Sequence, residues 1–160
     1  MIIKNVCITG AAGNIAYSLI FRILSNLPFN KVDKINLNLL DISQSQKALT
    51  GLKFEIEDCA FMTLNNLTIT DNAEQAFGDT DYIVMVGAKP RSKGMERSDL
   101  ILDNANIFKS QAKLINSSCN QLTKIIVVGN PANTNALILN HNTPSIPNSN
   151  ITSLMKLDHN

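Results

Sequence analysis

No stretch of this chain is apolar over the roughly 18 residues that a membrane-spanning helix needs, so no such helix is expected. The first residues, Met1 to Val6, run directly into a strand-like segment. They lack the basic region, apolar core and small-residue cleavage site of a secretory signal, and none is expected. Cysteine is scarce and scattered. Cys7, Cys59 and Cys119 lie far apart with no CxxC pair, which argues against a disulfide framework and against zinc. Buried free thiols in a reducing cytoplasm are expected instead, with no metal site. Fourteen basic residues against 13 acidic ones leave a net charge of +1. That balance gives no electrostatic reason to expect a nucleic acid or an anionic membrane as partner. Internal repeats and low-complexity tracts are absent, and the many scattered asparagines read as compositional drift.

What is present is length for one well-buried domain, 160 residues with 44% hydrophobic, and an alternation of strand-like and helix-like segments. Strands are expected over 2–9, 34–40, 67–70, 82–86, 125–128 and 151–157. Helices are expected over 13–25, 45–61, 99–119 and 132–139, with a helical turn over 72–77. Inward faces are expected to carry Ile15, Leu19, Ile20, Ile23 and Leu24 in the first helix. In the second they are Ala48, Leu52, Ile56 and Cys59/Ala60. Loops are expected over 27–30, 87–98 and 140–150. Tyr82 to Val86 and Ile125 to Val128 are apolar on both faces, as central parallel strands are. The pattern implies an α/β fold with a doubly wound parallel sheet.

Three segments carry chemistry. Gly10-Ala11-Ala12-Gly13-Asn14-Ile15-Ala16 lies between the first strand and the first helix. Its glycines allow a tight turn and close approach of a pyrophosphate, while the helix N-terminus offers free N–H groups to the anion. The spacing is G-x-x-G-x-x-A, one residue longer between the first glycines than the common dinucleotide fingerprint. Asp41 ends the second strand, followed by Ile42. An acid there can hydrogen-bond the adenine-ribose hydroxyls of NAD and would repel the 2′-phosphate of NADP. It lies further on than the ~20 residues typical of the motif, a difference the turn-rich segment 27–33 can absorb. Capping of the next helix is a second role open to it, and the two are not exclusive.

The second segment, Gly87 to Arg97, begins at the carboxyl end of a central strand and contains Lys89, Arg91, Lys93, Glu96 and Arg97. A solvated loop explains that composition, but arginine forks also clamp carboxylates. A Gly/Pro-hinged loop in that place could close over an acid substrate. The third, Val128-Gly129-Asn130-Pro131, sets an amide at the carboxyl end of another buried strand, as a ligand contact or a turn residue. Two other nucleotide-site types are excluded. There is no GxxxxGK[ST] P-loop. Neither Tyr17, followed four on by Phe21, nor Tyr82, followed by Val86, forms the Tyr-x-x-x-Lys pair of short-chain reductases.

The blocks GAAGNIAYSL, LLDI, EIEDCAF, VGAKPRSKGMER, VVGNPANTNALI and LDHN together resemble the cytosolic-type malate dehydrogenases of the lactate/malate dehydrogenase family, over essentially the whole chain. The resemblance implies a Rossmann NAD-binding domain over 1–150, with 151–160 as the start of a catalytic domain. It implies NAD contacts from Gly10 through Ala16, Asp41, Ile42, Gly87, Asn104, Gln111, Val128, Gly129 and Asn130. It further implies that Arg91 holds the distal carboxylate of malate or oxaloacetate, that Arg97 polarises the reacting carbonyl and that Asn130 touches the substrate. Related lactate dehydrogenases carry a glutamine at the position of Arg91, so the arginine favours a dicarboxylate.

Asp158 matches the aspartate that orients the catalytic histidine, which the resemblance places beyond Asn160 together with a third substrate arginine. His141, expected in a loop, and His159, within the LDHN block, do not match it. These 160 residues are therefore expected to be inactive alone. The resemblance also implies a cytoplasmic homodimer, when full length, serving the tricarboxylic acid cycle. The alternative is a stand-alone NAD-binding module without turnover, against which stands the apolar surface such a domain would expose.

Overall fold

The computed structural model describes residues 1–25, 32–90 and 93–155. Six strands form one parallel sheet: β1 (Ile3–Thr9), β2 (Lys34–Leu40), β3 (Leu64–Thr70), β4 (Tyr82–Met85), β5 (Lys124–Val127) and β6 (Ile151–Ser153). Between them run helices α1 (Asn14–Leu24), α2 (Gln46–Asp58), α3 (Ala73–Phe77), α4 (Arg97–Ser118) and α5 (Ala132–Asn142). The strand order is β3-β2-β1-β4-β5-β6. The chain thus builds outward from β1 on one side, returns, and builds outward on the other. The loops leaving β1 and β4 diverge at that reversal and open a crevice at the carboxyl edge.

Strand alternation sorts the core into two layers. Val6, Ile8, Ile35, Leu37 and Leu39 pack under Ile20, Ile23 and Leu24 of α1 and Leu49, Leu52 and Ile56 of α2. Cys7, Ile83, Met85, Ile125 and Val127 face the other way, under Phe77 of α3, Phe108, Ala112 and Ile115 of α4, and Leu139 of α5. Burying each such aliphatic side chain stabilises the fold by about 1.5–3 kcal/mol, so both layers are needed to hold the sheet.

Several expected boundaries move, each for a local reason. β3 starts at Leu64, three residues early, because Leu64 pairs with Ile35 and the register slips between Ile35 and Asn36. Asn65 and Asn66 are exposed on this strand, which hides its alternation in the sequence. In α2 the inward residue is Leu49 rather than Ala48, and Cys59 and Ala60 are exposed. The helix ends at Asp58 and Ala60 turns away at φ 48°. Cys59 is therefore not a buried thiol, whereas Cys7 is buried and Cys119 partly so. Burial pushes the Cys7 thiol well above its ordinary range and that of Cys119 to about 11, so neither is a thiolate near neutral pH.

Ile15, in the first turn, is exposed instead of joining the inward face of α1. Helix α4 starts at Arg97, two residues early. Helix α5 continues through Asn142, so His141 sits exposed in its last turn and not in a loop. The Asn142 amide donates to the Ile138 carbonyl (2.7 Å) and the Thr143 hydroxyl to that of Leu139 (2.9 Å), completing the polar turn. The sheet continues past residue 150, where β6 pairs with β5. The last strand, expected over 151–157, ends at Ser153; residues 156–157 and the turn expected at 27–30 lie outside the described residues.

The asparagines are not drift. Asn36 Nδ2 donates to Asn5 Oδ1 (2.8 Å) and Asn65 Nδ2 to Asn36 Oδ1 (2.7 Å), a relay across three neighbouring strands. Asn72 caps α3 by accepting from Glu74 and Gln75 N–H. These amides satisfy polar groups on the wetter parts of the sheet and its connections.

Candidate functional site

At the reversal point the chain leaves β1 through Gly10, which holds φ +64°. A β-carbon there would stand 2.4 Å from Gly87 Cα and 2.6 Å from Gly87 N. Only glycine allows both that backbone conformation and this contact between the exits of β1 and β4. Gly13 N–H donates to Gly10 C=O (3.0 Å), closing the turn. Gly13 then serves as N-cap of α1 without any side-chain cap, and no acid lies in the first turn. The positive end of the helix dipole and its free N–H groups are thus left for an anion.

Asp41 closes the opposite wall. Its Oδ2 accepts from Ala12 N–H (2.9 Å) and its Oδ1 from Ile42 N–H (2.8 Å). It therefore ties the end of β2 to the glycine turn. It does not cap a helix, since the short 3₁₀ turn over Ser43–Ser45 has Ile42 as its N-cap. Two bonds leave the carboxylate with unused acceptor capacity, which suits vicinal hydroxyls and repels a phosphate.

A cleft of about 900 Å³ lies between these walls. Of the residues singled out from the sequence, Gly10, Ala12, Gly13, Asn14, Ile15, Asp41, Ile42, Gly87 and Gln111 line it. Ala11 and Ala16 are fully buried behind it and pack the turn against the core. Asn104, also fully buried, and Val128 and Gly129 do not line the cleft. Asn130 is exposed beyond β5 and precedes a cis peptide bond to Pro131. Gly129 beneath it is pinned: its N–H and that of Val128 both donate to Met85 C=O (3.0 and 2.9 Å), and Asn135 Nδ2 donates to its carbonyl (2.9 Å). Arg91 and Asp158 lie outside the described residues. Arg97 opens α4, and its side chain is likewise outside them.

Ala88, Lys89 and Pro90, from the segment Gly87 to Arg97 marked in the sequence, line it too, whereas Asp71, Ala73 and Ile107 in its lining were not singled out. Asp71 had a usable signal, as the residue after a strand end, like Asp41. The Ser43 hydroxyl donates to it (2.6 Å). Ile107 and Gln111 are one turn apart on α4, a spacing that could have marked a shared face.

The residues present fit a dinucleotide. The glycine turn leaves room for a pyrophosphate at an uncapped helix end, and Asp41 retains acceptors for a ribose. Gln111 adds a buried Oε1 with no hydrogen-bond partner among the described residues, at the cleft wall. Such an atom is costly unless a ligand or water donates to it.

The family model described as lactate/malate dehydrogenase, NAD binding domain, matches residues 4–152. The chain belongs to the lactate/malate dehydrogenase family. Its fold is similar to that of malate dehydrogenase from Naegleria fowleri, with a TM-score of 0.95 and 42% identity, over 99% of this chain and 49% of that one. A lactate dehydrogenase variant from Trichomonas vaginalis matches with a TM-score of 0.94 and 36% identity, over 99% and 47% of the two chains. The Trichomonas vaginalis enzyme solved with NADH and oxamate gives 0.90 and 36%, over 98% and 47%. The chain spans about half the length of these dehydrogenases. The cleft is thus that of an NAD-binding domain of this family of oxidoreductases, with NAD as cofactor.

Proposed function

We propose that the chain is the NAD-binding portion of a malate dehydrogenase, interconverting malate and oxaloacetate. The observation that supports this is the pairing of β4 with β5, which sets the β4 exit, Gly87 to Pro90, beside the β5 exit that leads to Asn130. Gly87 to Pro90 line the cleft. In this reading Arg91 binds the carboxylate far from the reacting carbon, with two parallel charge-assisted hydrogen bonds available to it. Arg97 polarises the reacting carbonyl and Asn130 touches the substrate. Bound NAD supplies the hydride acceptor. Asp158 orients a histidine outside these 160 residues, which takes the hydroxyl proton. The exposed position of His141 on α5 lends it no part in this. A homodimeric assembly and a cytoplasmic location belong to the same proposal and rest on the resemblance.

The test is NADH oxidation by the full-length protein with oxaloacetate and with pyruvate. Oxaloacetate should be strongly preferred, and Arg91→Leu should lower kcat/KM for it by roughly a hundredfold or more. A preference for pyruvate would instead assign a lactate dehydrogenase. The 160 residues alone should bind NADH without turning over oxaloacetate. A rate near that of the full-length protein would contradict the histidine assignment.

A further inference from the structure

The hydrogen bonds of the central sheet reach Gly87, whose N–H donates to Thr9 C=O (3.1 Å), and the chain then runs on through Ala88, Lys89 and Pro90 along the cleft wall. A side chain from α4 takes over there. Asn104 Oδ1 accepts from Lys89 N–H (2.7 Å), and Asn104 Nδ2 donates to the carbonyls of Lys89 (3.2 Å) and Leu100 (3.1 Å). Its neighbour Asp103 accepts from Lys89 Nζ (2.6 Å), so both the main chain and the side chain of Lys89 are held by α4. Asn104 is 0% exposed and absent from the cleft lining, whereas Lys89 lines it.

An asparagine amide carries a donor and an acceptor on neighbouring atoms, the same pair that one residue's N–H and C=O present. The two can therefore bond reciprocally, with the second amide hydrogen left for Leu100. Asp lacks the donors and Leu lacks both functions. Both amide hydrogens and one Oδ1 lone pair of Asn104 are thus engaged by main-chain groups of the β4 exit and of α4.

We propose that Asn104 is a positioning residue, which shapes the NAD cleft by clasping the main chain of Lys89. This rests on the NAD cleft alone and not on the choice of substrate.

The test combines amide hydrogen exchange without cofactor and NADH titration, on the full chain, for the wild type, Asn104→Leu and Asn104→Asp. In Asn104→Leu the Lys89 amide should lose its protection while those of Ile8 and Leu39 keep theirs, and NADH should bind roughly tenfold more weakly or worse. Asn104→Asp sets a carboxylate against two carbonyl oxygens. Its deficit in NADH affinity relative to wild type should shrink as falling pH protonates it and restores a donor beside the acceptor. Should Asn104→Leu fail to fold, that pH series decides. Unchanged Lys89 exchange in a folded Asn104→Leu, or an Asn104→Asp deficit flat with pH, overturns the proposal. If the wild type fails to bind NADH, the cofactor assignment fails, while Lys89 exchange still decides the clasp.

Discussion

The two sides of the crevice are held in different ways. On the β1–β2 side the glycine turn closes on itself through Gly13 and Gly10, and Asp41, at the strand end, ties it to β2. On the β4–β5 side the exits are held by side chains reaching back from the following helices: Asn104 of α4 grips Lys89 and Asn135 of α5 grips Gly129. The first side is a backbone turn that glycine permits, fastened by one carboxylate from the end of the next strand. The second is an arrangement of amides that exists only once the helices are docked, so its shape depends on the tertiary fold.

The largest expected difference comes from Gly10→Val. It adds a left-handed strain for a branched residue to a clash with Gly87 main chain, and should destabilise by about 3 kcal/mol or more while abolishing NADH binding. Urea denaturation and a titration check it. If the variant keeps wild-type stability, the glycine contact does not set the turn. Next, Asp41→Ala should weaken NADH binding and narrow the preference over NADPH, because the repulsion toward a 2′-phosphate goes with the carboxylate. A variant that still rejects NADPH as before would move that selectivity elsewhere.

On the other side, Asn135→Leu leaves the Gly129 carbonyl without its donor but also removes the buried Asn135 Oδ1, which has no partner among the described residues. The two effects oppose, so a loss of only about 1 kcal/mol is expected. A loss of several kcal/mol would show that Oδ1 is satisfied by an ordered water. The smallest effect lies at the opposite edge of the sheet, in the Lys4–Asp81 pair (2.6 Å). The hydrogen bond to Asp81 raises the Lys4 pKa above 10.5 in the folded chain. Its contribution, about 0.5–1 kcal/mol, is fully present below the unfolded pKa and is lost as pH rises through the folded one. Stability of Lys4→Met relative to wild type should thus converge only at strongly alkaline pH, and a gap that persists there would point to packing instead.

The alternation of strands and helices, the parallel sheet and the glycine turn were legible because each leaves a short-range periodicity or a residue type with one physical use. Asp41 was legible as a residue at a strand end, though its bond to Ala12 was not. Leu64 to Asn66 escaped because a bulged edge strand with exposed asparagines has no alternation to read. The last turn of α5 escaped because Asn140-His141-Asn142 is polar all round. Hardest to see were the asparagine clasps, since Asn104 and Lys89 are 15 residues apart and nothing local distinguishes a buried amide from a surface one. Arg91 and Arg97 were marked by charge type and by resemblance, and their action on substrate belongs to the proposal.

The central claim is that this sheet edge binds NAD and selects it through Asp41. Calorimetric titration of the chain with NADH and NADPH, for wild type and Asp41→Ala, tests it most directly. The account predicts that wild type binds NADH well ahead of NADPH, and that the variant loses NADH affinity and most of the discrimination. Equal binding of the two cofactors by wild type, or no binding of either, would contradict it.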